Sequence, residues 1–432
     1  MKHILISILA AAVLVSCATG PNAQTGTVVG ALGGAAAGGI IGSQSGRGLE
    51  GAAIGAGLGA LGGNAIGNAQ DQRNASTSAT PTPATTTGTA AAITIEPPPL
   101  PCPQTRSGAR LDHAGRWGKE RASNSTAHTM IKLTGIADEA GASLDVQIQA
   151  HQELGWDSIE SRGVELDGVK GNLHEIPEAA FDKVCEKLAA ANMQVSGFGS
   201  LIGNWAKKIT DDFSITEAEI ARAIPRMTRL GTKLIRVMSY AVCKDADGRD
   251  LVEQFAPERI SRMKEINARF ADAGLTVVHE NCMNWGGMSP TYVRRMAEAV
   301  PGMKWVFDTG NPVFIDDRDR PGHKQDAWEM YQAVKPFMVH VHVKDGIWDK
   351  AKNDAVYTYP GEGEGQTERI MKDLIESGYN GYISIEPHVA VVFHGAGAAD
   401  DLSPEQKAKE QYDSYIKYGR MLEAMLKRHG AL

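Results

Sequence analysis

The 432-residue sequence is poor in several features that would fix a protein class at once. It has five cysteines, none in a CxxC pair, so a zinc-ribbon pattern is excluded. A net charge of −7 supplies no broad basic patch and argues against a nucleic-acid surface. The apolar run Ile4 to Val15 is shorter than the roughly 18–20 residues that span a bilayer. No glycine-rich phosphate turn follows the first strand-like segment, as a doubly wound nucleotide fold would require.

What is present falls into two unlike pieces. Residues 1–17 read as a targeting signal, with a short polar start, an apolar run and then Leu14-Val15-Ser16-Cys17. The last four resemble a bacterial lipobox, which implies lipidation of Cys17. Residues 18–73 carry a glycine zipper: Gly30, Gly34, Gly38 and Gly42 recur every four residues, as do Gly51, Gly55, Gly59 and Gly63. That spacing puts glycines on one helix face, where two backbones can approach closely in an apolar phase. The polar break 43–48 would turn a helical hairpin. Residues 74–128 are Pro/Thr/Ala-rich linker without periodicity. The expected location is the outer membrane, facing the periplasm, held by lipid and zipper. If the part beginning at Met130 is produced separately, it would instead be cytoplasmic.

From 129 to 432 strands and helices alternate with short joins. Strands are predicted near 132–137, 157–161, 194–199, 233–239, 275–280, 303–308, 338–343 and 381–386. Helices are predicted near 143–154, 177–191, 215–230, 257–273, 289–299, 325–334, 366–377 and 404–428. Eight such units make a (β/α)8 TIM barrel, an α/β fold. A doubly wound sheet usually stops at five or six strands.

Polar residues sit where apolar strands end. Val277-Val278-His279-Glu280, Trp305-Val306-Phe307-Asp308, Val339-His340-Val341-His342 and Ile383-Ser384-Ile385-Glu386 each finish on an ionisable side chain. Alternation sends Val339, Val341, Ile383 and Ile385 to the covering helices, and His340, His342, Lys344, Ser384, Glu386 and His388 to the barrel axis. Glu160 and Arg162 share one face of the second strand. In this fold the C-terminal strand ends build the active site. Three carboxylates and one imidazole suit one divalent ion, Mn, Mg, Co or Zn.

At this point the chain resembles the xylose isomerase-like barrel superfamily, in its sugar phosphate isomerase/epimerase branch. The residues that carry the likeness are His340-Val341-His342-Val343-Lys344-Asp345, Pro360-Gly361-Glu362-Gly363-Glu364-Gly365 and Gly378 to Glu386, with Glu280 and Asp308. The resemblance implies that Glu280, Asp308, His342 and Glu386 are metal ligands. It also implies that Glu280 and Glu386 are the acid/base pair moving a proton alpha to a carbonyl, through a metal-stabilised enediolate. The substrate would be a sugar, keto-sugar or polyol. Substrate contacts are expected from Glu160, Asn311, Lys344, Asp345, Trp285 and His388. His340 is expected to be a hydrogen-bonded core residue, and His279 to face the helices.

The substrate clamp departs from that of the ketose 3-epimerases. Asn311 stands where they have a histidine, Trp348 where they have an arginine and Gly286 where they have a glutamate. Cys282 takes the place of the lysine of true xylose isomerases. Two other functions therefore stay open: a metal-dependent lyase or dehydratase on a keto-inositol or 3-keto-glycoside, and a non-catalytic envelope sugar-binding lipoprotein. Monomer and homo-oligomer both remain open.

Overall fold

The computed structural model describes residues 131–390 and 402–432. Eight parallel strands form one sheet: β1 (Lys132–Gly135), β2 (Ser158–Ser161), β5 (Gln194–Gly199), β6 (Leu234–Val237), β7 (Thr276–Glu280), β8 (Lys304–Asp308), β9 (Met338–Val343) and β12 (Tyr382–Ile385). Their spatial order is β1-β12-β9-β8-β7-β6-β5-β2. The first strand pairs with the last, Lys132 against Tyr382. The ring closes where Ile136, just past β1, bridges Glu160 on β2. This is the barrel that the alternating pattern predicts.

The covering helices are α1 (Leu144–Leu154), α2 (Glu178–Ala190), α3 (Phe213–Leu230), α4 (Ala256–Asp272), α5 (Pro290–Ala299), the single-turn α6 (Asn311–Phe314), α7 (Ala327–Val334), α8 (Thr367–Glu376) and α9 (Pro404–Arg428). Their starts follow from capping residues. Ser143, Asp212, Ser289 and Asp326 each accept a backbone N–H at a helix start, and Ser403 with Gln406 forms a full capping box on α9. Gly155 and Gly231 end α1 and α3 in the left-handed conformation, which glycine adopts without steric cost.

The core lies between strands and helices. Ile159, Ile235, Val277, Phe307, Val341, Val343, Ile383 and Ile385 point outward into it. Inside the barrel the filling is largely polar, with Val278 and Val306 among it. Thr134 Oγ1 donates to Ser158 O at 2.9 Å, and Ser196 Oγ donates to Ile159 O at 3.0 Å. A polar interior tolerates charge at its upper rim, where the site lies.

Two antiparallel hairpins were not expected. β3 (Val164–Leu166) and β4 (Val169–Gly171) follow β2; β10 (Asp345–Asp349) and β11 (Asp354–Thr358) follow β9. The first turns at Asp167-Gly168, both with positive φ. Asp-Gly between short β-prone runs is a hairpin signal that was present in the sequence. The lipobox at Cys17, the zipper and the linker lie outside the described residues. Among the described residues no helix is long and apolar enough to cross a membrane.

Candidate metal centre

Register brings the ionisable strand ends to one level. Asp308 pairs with His342 across β8 and β9, and His342 pairs with Ser384 on β12, two residues before Glu386. Donor atoms of Glu280, Asp308, His342 and Glu386 all lie within 4.8 Å of one another, and all four residues are buried. His342 Nδ1 sits 3.3 Å from Glu280 Oε1 and 3.5 Å from Glu386 Oε2.

Each carboxylate is oriented by groups outside the cluster. Asp308 Oδ1 accepts the backbone N–H groups of Gly310 and Asn311, while Asn281 brackets the Asp308 backbone from both sides. Arg236 Nη1 lies 3.2 Å from Glu280 Oε2, and Arg162 Nη1 lies 3.0 Å from Glu386 Oε1. Lys344 Nζ lies 3.1 Å from both Asp308 Oδ2 and Glu386 Oε2. Those two oxygens are buried and accept no directed hydrogen bond. The donor set therefore fits a divalent cation: two carboxylate oxygens have the Lys344 ammonium beside them but no directed hydrogen bond, and an imidazole nitrogen is aimed at the same space.

The protonation states follow from burial weighed against these neighbours. Burial pushes Asp308 up to about 7, against the pull of the Lys344 ammonium. Burial also acts on Glu280 and Glu386, but Arg236 and His342 hold Glu280 below the usual carboxylate range, and Lys344 with His342 holds Glu386 well below it. His342 is driven the other way. Burial disfavours its charge, yet the adjacent Glu160 carboxylate outweighs that and raises it well above the usual imidazole value.

The residues expected to touch substrate are distributed unevenly. Asn311 Nδ2 donates to Glu280 Oε1 at 3.4 Å, and Lys344 lies inside the cluster, so both are beside the donors. His388 stands at the rim, with Nδ1 2.8 Å from Glu139 Oε1 and Nε2 4.0 Å from Glu386 Oε1. Three others lie elsewhere. Trp285 is 1% exposed, edge-on to Tyr292, with the guanidinium of Arg295 5.4 Å from its ring centre, so no sugar ring can stack on it there. Asp345 is fully buried and accepts from the N–H groups of Gly346, Gly361 and Gly365 and the hydroxyl of Thr367; it fastens the loop. Glu160 lies behind His342, both its oxygens occupied by imidazoles.

His340 bonds Glu160 at 2.8 Å inside the barrel, and His279 faces outward against Trp305 with ring centres 4.5 Å apart. Asn281 and Asn284, the latter bonded to Ser239 Oγ at 2.6 Å, brace the loop after β7. Residues that the sequence reading did not single out are Arg236, Asp138 and Glu139. Arg236 interrupts Leu234-Ile235-Arg236-Val237, and a lone inward charge in an apolar strand was the available signal. Asp138 and Glu139 stand just beyond β1 and grip Arg162 at 3.1 Å each.

A cavity of about 960 Å³ opens at the same end of the barrel, among the loops after β6, β8 and β9. Lys244, Arg249, Arg318, His323 and Trp348 are among its walls, and none of the four donors lines it. Trp348 lies there beneath Lys324, whose Nζ is 3.6 Å from the ring centre.

Comparison with known proteins agrees with the architecture. Residues 148–418, more than half the chain, match the xylose isomerase-like TIM barrel family, and the protein belongs to it. Residues 1–71 match the YMGG-like Gly-zipper family. Similar solved structures include the IolI protein with a zinc atom, at 13% identity and TM-score 0.51, covering 70% of this chain and 100% of that one. A D-tagatose 3-epimerase-like protein is 15% identical with TM-score 0.50, over 69% of this chain and 98% of that one. A xylose isomerase-like TIM barrel protein from Mycobacterium smegmatis, in complex with magnesium, is 16% identical with TM-score 0.48, over 70% and 100%. No curated protein matches the sequence.

Proposed function

We propose that the chain is a divalent-metal-dependent isomerase or epimerase acting on a sugar, keto-sugar or polyol, by proton transfer at a carbon next to a carbonyl. The observation that carries this reading is the convergence of Glu280, Asp308, His342 and Glu386 within 4.8 Å. A bound divalent ion would supply Lewis-acid polarisation of the substrate carbonyl. The chain's own residues would do the rest. Glu280 and Glu386 come from strands on different sides of the cluster, so one can take a proton while the other returns one. Arg236 fixes the direction of Glu280 and Arg162 that of Glu386. Asn311, beside Glu280, is placed to orient a substrate hydroxyl.

A lyase or dehydratase on a keto-inositol or 3-keto-glycoside is the second reading, and Gly286 favours it. A Cβ there would meet His279 Cε1 at 2.7 Å and Ser239 Oγ at 3.0 Å, so these side chains crowd out the glutamate that ketose 3-epimerases carry at that position. The two readings share the proton abstraction and differ in product mass. For the N-terminal part, we propose a lipoprotein anchor at Cys17 with the zipper associating with the membrane, which the Gly-zipper match supports.

The test is a metal-supplemented screen of keto-sugars and inositols in deuterated water, read by NMR. Glu280→Gln and Glu386→Gln should each lower turnover about 10²–10⁴-fold while retaining metal, and the double variant should be little worse than the poorer single one. Near-normal turnover in either single variant, with metal retained, would remove that residue from the chemistry.

A further inference from the structure

We infer that Glu160 is the positioning residue that decides which nitrogen of His342 faces the metal. The inference rests on the metal reading above and assigns a role within that site to a side chain outside the four donors.

The geometry is that of an imidazole held between two unlike surroundings. On one side, Nε2 of His342 lies 3.0 and 3.1 Å from the two oxygens of Glu160. On the other, Nδ1 faces Glu280 and Glu386 at 3.3 and 3.5 Å. A nitrogen that donates its proton to a carboxylate has no lone pair left to ligate. With Nε2–H committed to Glu160, Nδ1, whose proton toward Glu280 a bound cation would displace, is the nitrogen left to ligate. A carboxylate behind a ligating imidazole also raises its basicity.

Glu160 is itself fixed from three directions. His340 Nε2 lies 2.8 Å from its Oε2, so both its oxygens are used. Its backbone bridges Ile136 at the seam where the barrel closes. Against β5, the register of β2 shifts between Ile159 and Glu160. Such irregularities re-aim a side chain, and here the re-aimed one is Glu160, 2% exposed beneath the site. A side chain serving only to neutralise buried charge would not need both oxygens divided between two imidazoles.

The test uses the full-length chain and zinc alone as the probe. Zinc affinity is measured by competition with a chelating dye for the natural chain, Glu160→Gln, Glu160→Ala and Asp308→Ala. The ligating nitrogen of His342 is read from long-range ¹⁵N–¹H correlations of the zinc-loaded proteins. Loss of the outer carboxylate should weaken zinc by about 10–100-fold, Ala more than Gln. The correlations should show Nδ1 ligation in the natural chain and a loss of that preference in the variants. Glu160→Asp, which keeps the charge but cannot span both imidazoles, should recover part of the affinity, and it carries the comparison if the Gln variant does not fold. Unchanged affinity and an unchanged ligating nitrogen in the variants would overturn the inference while leaving the metal site standing. Zinc binding indifferent to Asp308→Ala would overturn the site itself, and the role of Glu160 with it.

Discussion

Lys344 shows how finely charge is balanced at single residues. Its ammonium is the nearest cation to Asp308 Oδ2 and Glu386 Oε2, in surroundings where an unpaired charge is costly. Lys344→Met should therefore destabilise the metal-stripped protein by roughly 3–5 kcal/mol, the usual cost of breaking a buried pair. Added divalent ion should restore part of the loss, because it supplies the missing positive charge. Thermal melts with and without chelator would check both expectations. His151 makes the opposite case, a buried base kept neutral. Its Nδ1 donates to Gln147 O at 2.8 Å, Tyr415 Oη lies 3.2 Å from Nε2, and burial lowers it from 6.5 to about 4. Between these values the unfolded chain binds a proton that the folded one refuses, so stability falls as pH drops from about 6.5 to about 4 and is level above that window. The loss amounts to roughly 3 kcal/mol. His151→Gln should flatten that part of the urea-melt profile relative to the natural chain.

Elements were legible to different degrees. The eight strands and the long helices could be read because each repeats an apolar period and ends on a cap, a glycine or a polar strand end. The hairpins were missed because their strands stand in loops, outside the strand–helix alternation that marks the barrel, although Asp167-Gly168 carried a local signal. The four donors were readable because an ionisable group closing an apolar strand has few packing explanations. Glu139 was not, since it stands beyond its strand and its partners Arg162 and His388 are remote in sequence, whereas Arg236 left a signal in its apolar strand that went unused. The glycine run 361–365 has a physical origin in the loop after β11. A Cβ on Gly363 would meet Asp345 Oδ1 at 2.3 Å and Gly346 N at 2.4 Å. Asp345→Ala would leave three backbone N–H groups and the Thr367 hydroxyl without their acceptor. The expected loss is about 3 kcal/mol or more, by denaturant melt, and Gly363→Ala should approach it by forcing the same loop apart. A change below about 0.5 kcal/mol for Asp345→Ala would show that the loop finds other acceptors.

At the scale of the whole molecule, the barrel and the N-terminal piece obey different physics. One buries a continuous core; the other carries a four-residue glycine period and a linker-like composition. If the proposed anchor holds, Cys17→Ser should abolish incorporation of labelled fatty acid and processing at that site. Label persisting in that variant would place the lipid elsewhere or exclude the lipobox reading. Trp285, expected from its place in the loop after β7 to touch substrate, is buried edge-on to Tyr292. Alternation fixes a side chain only while the strand lasts.

The pairing of β1 with β12 has a consequence in time. Lys132 finds its neighbour Tyr382 only after 250 further residues have been made. Contacts so distant along the chain are slow to form, since loop closure must come first. While it emerges from the ribosome, the chain can assemble partial sheets but cannot shut the ring, and the bridge from Ile136 to Glu160 cannot be locked by a neighbour that does not yet exist. Every partial barrel made before β12 therefore exposes the paired edges of β1 and β9, and the last strand to be made is the one that removes both.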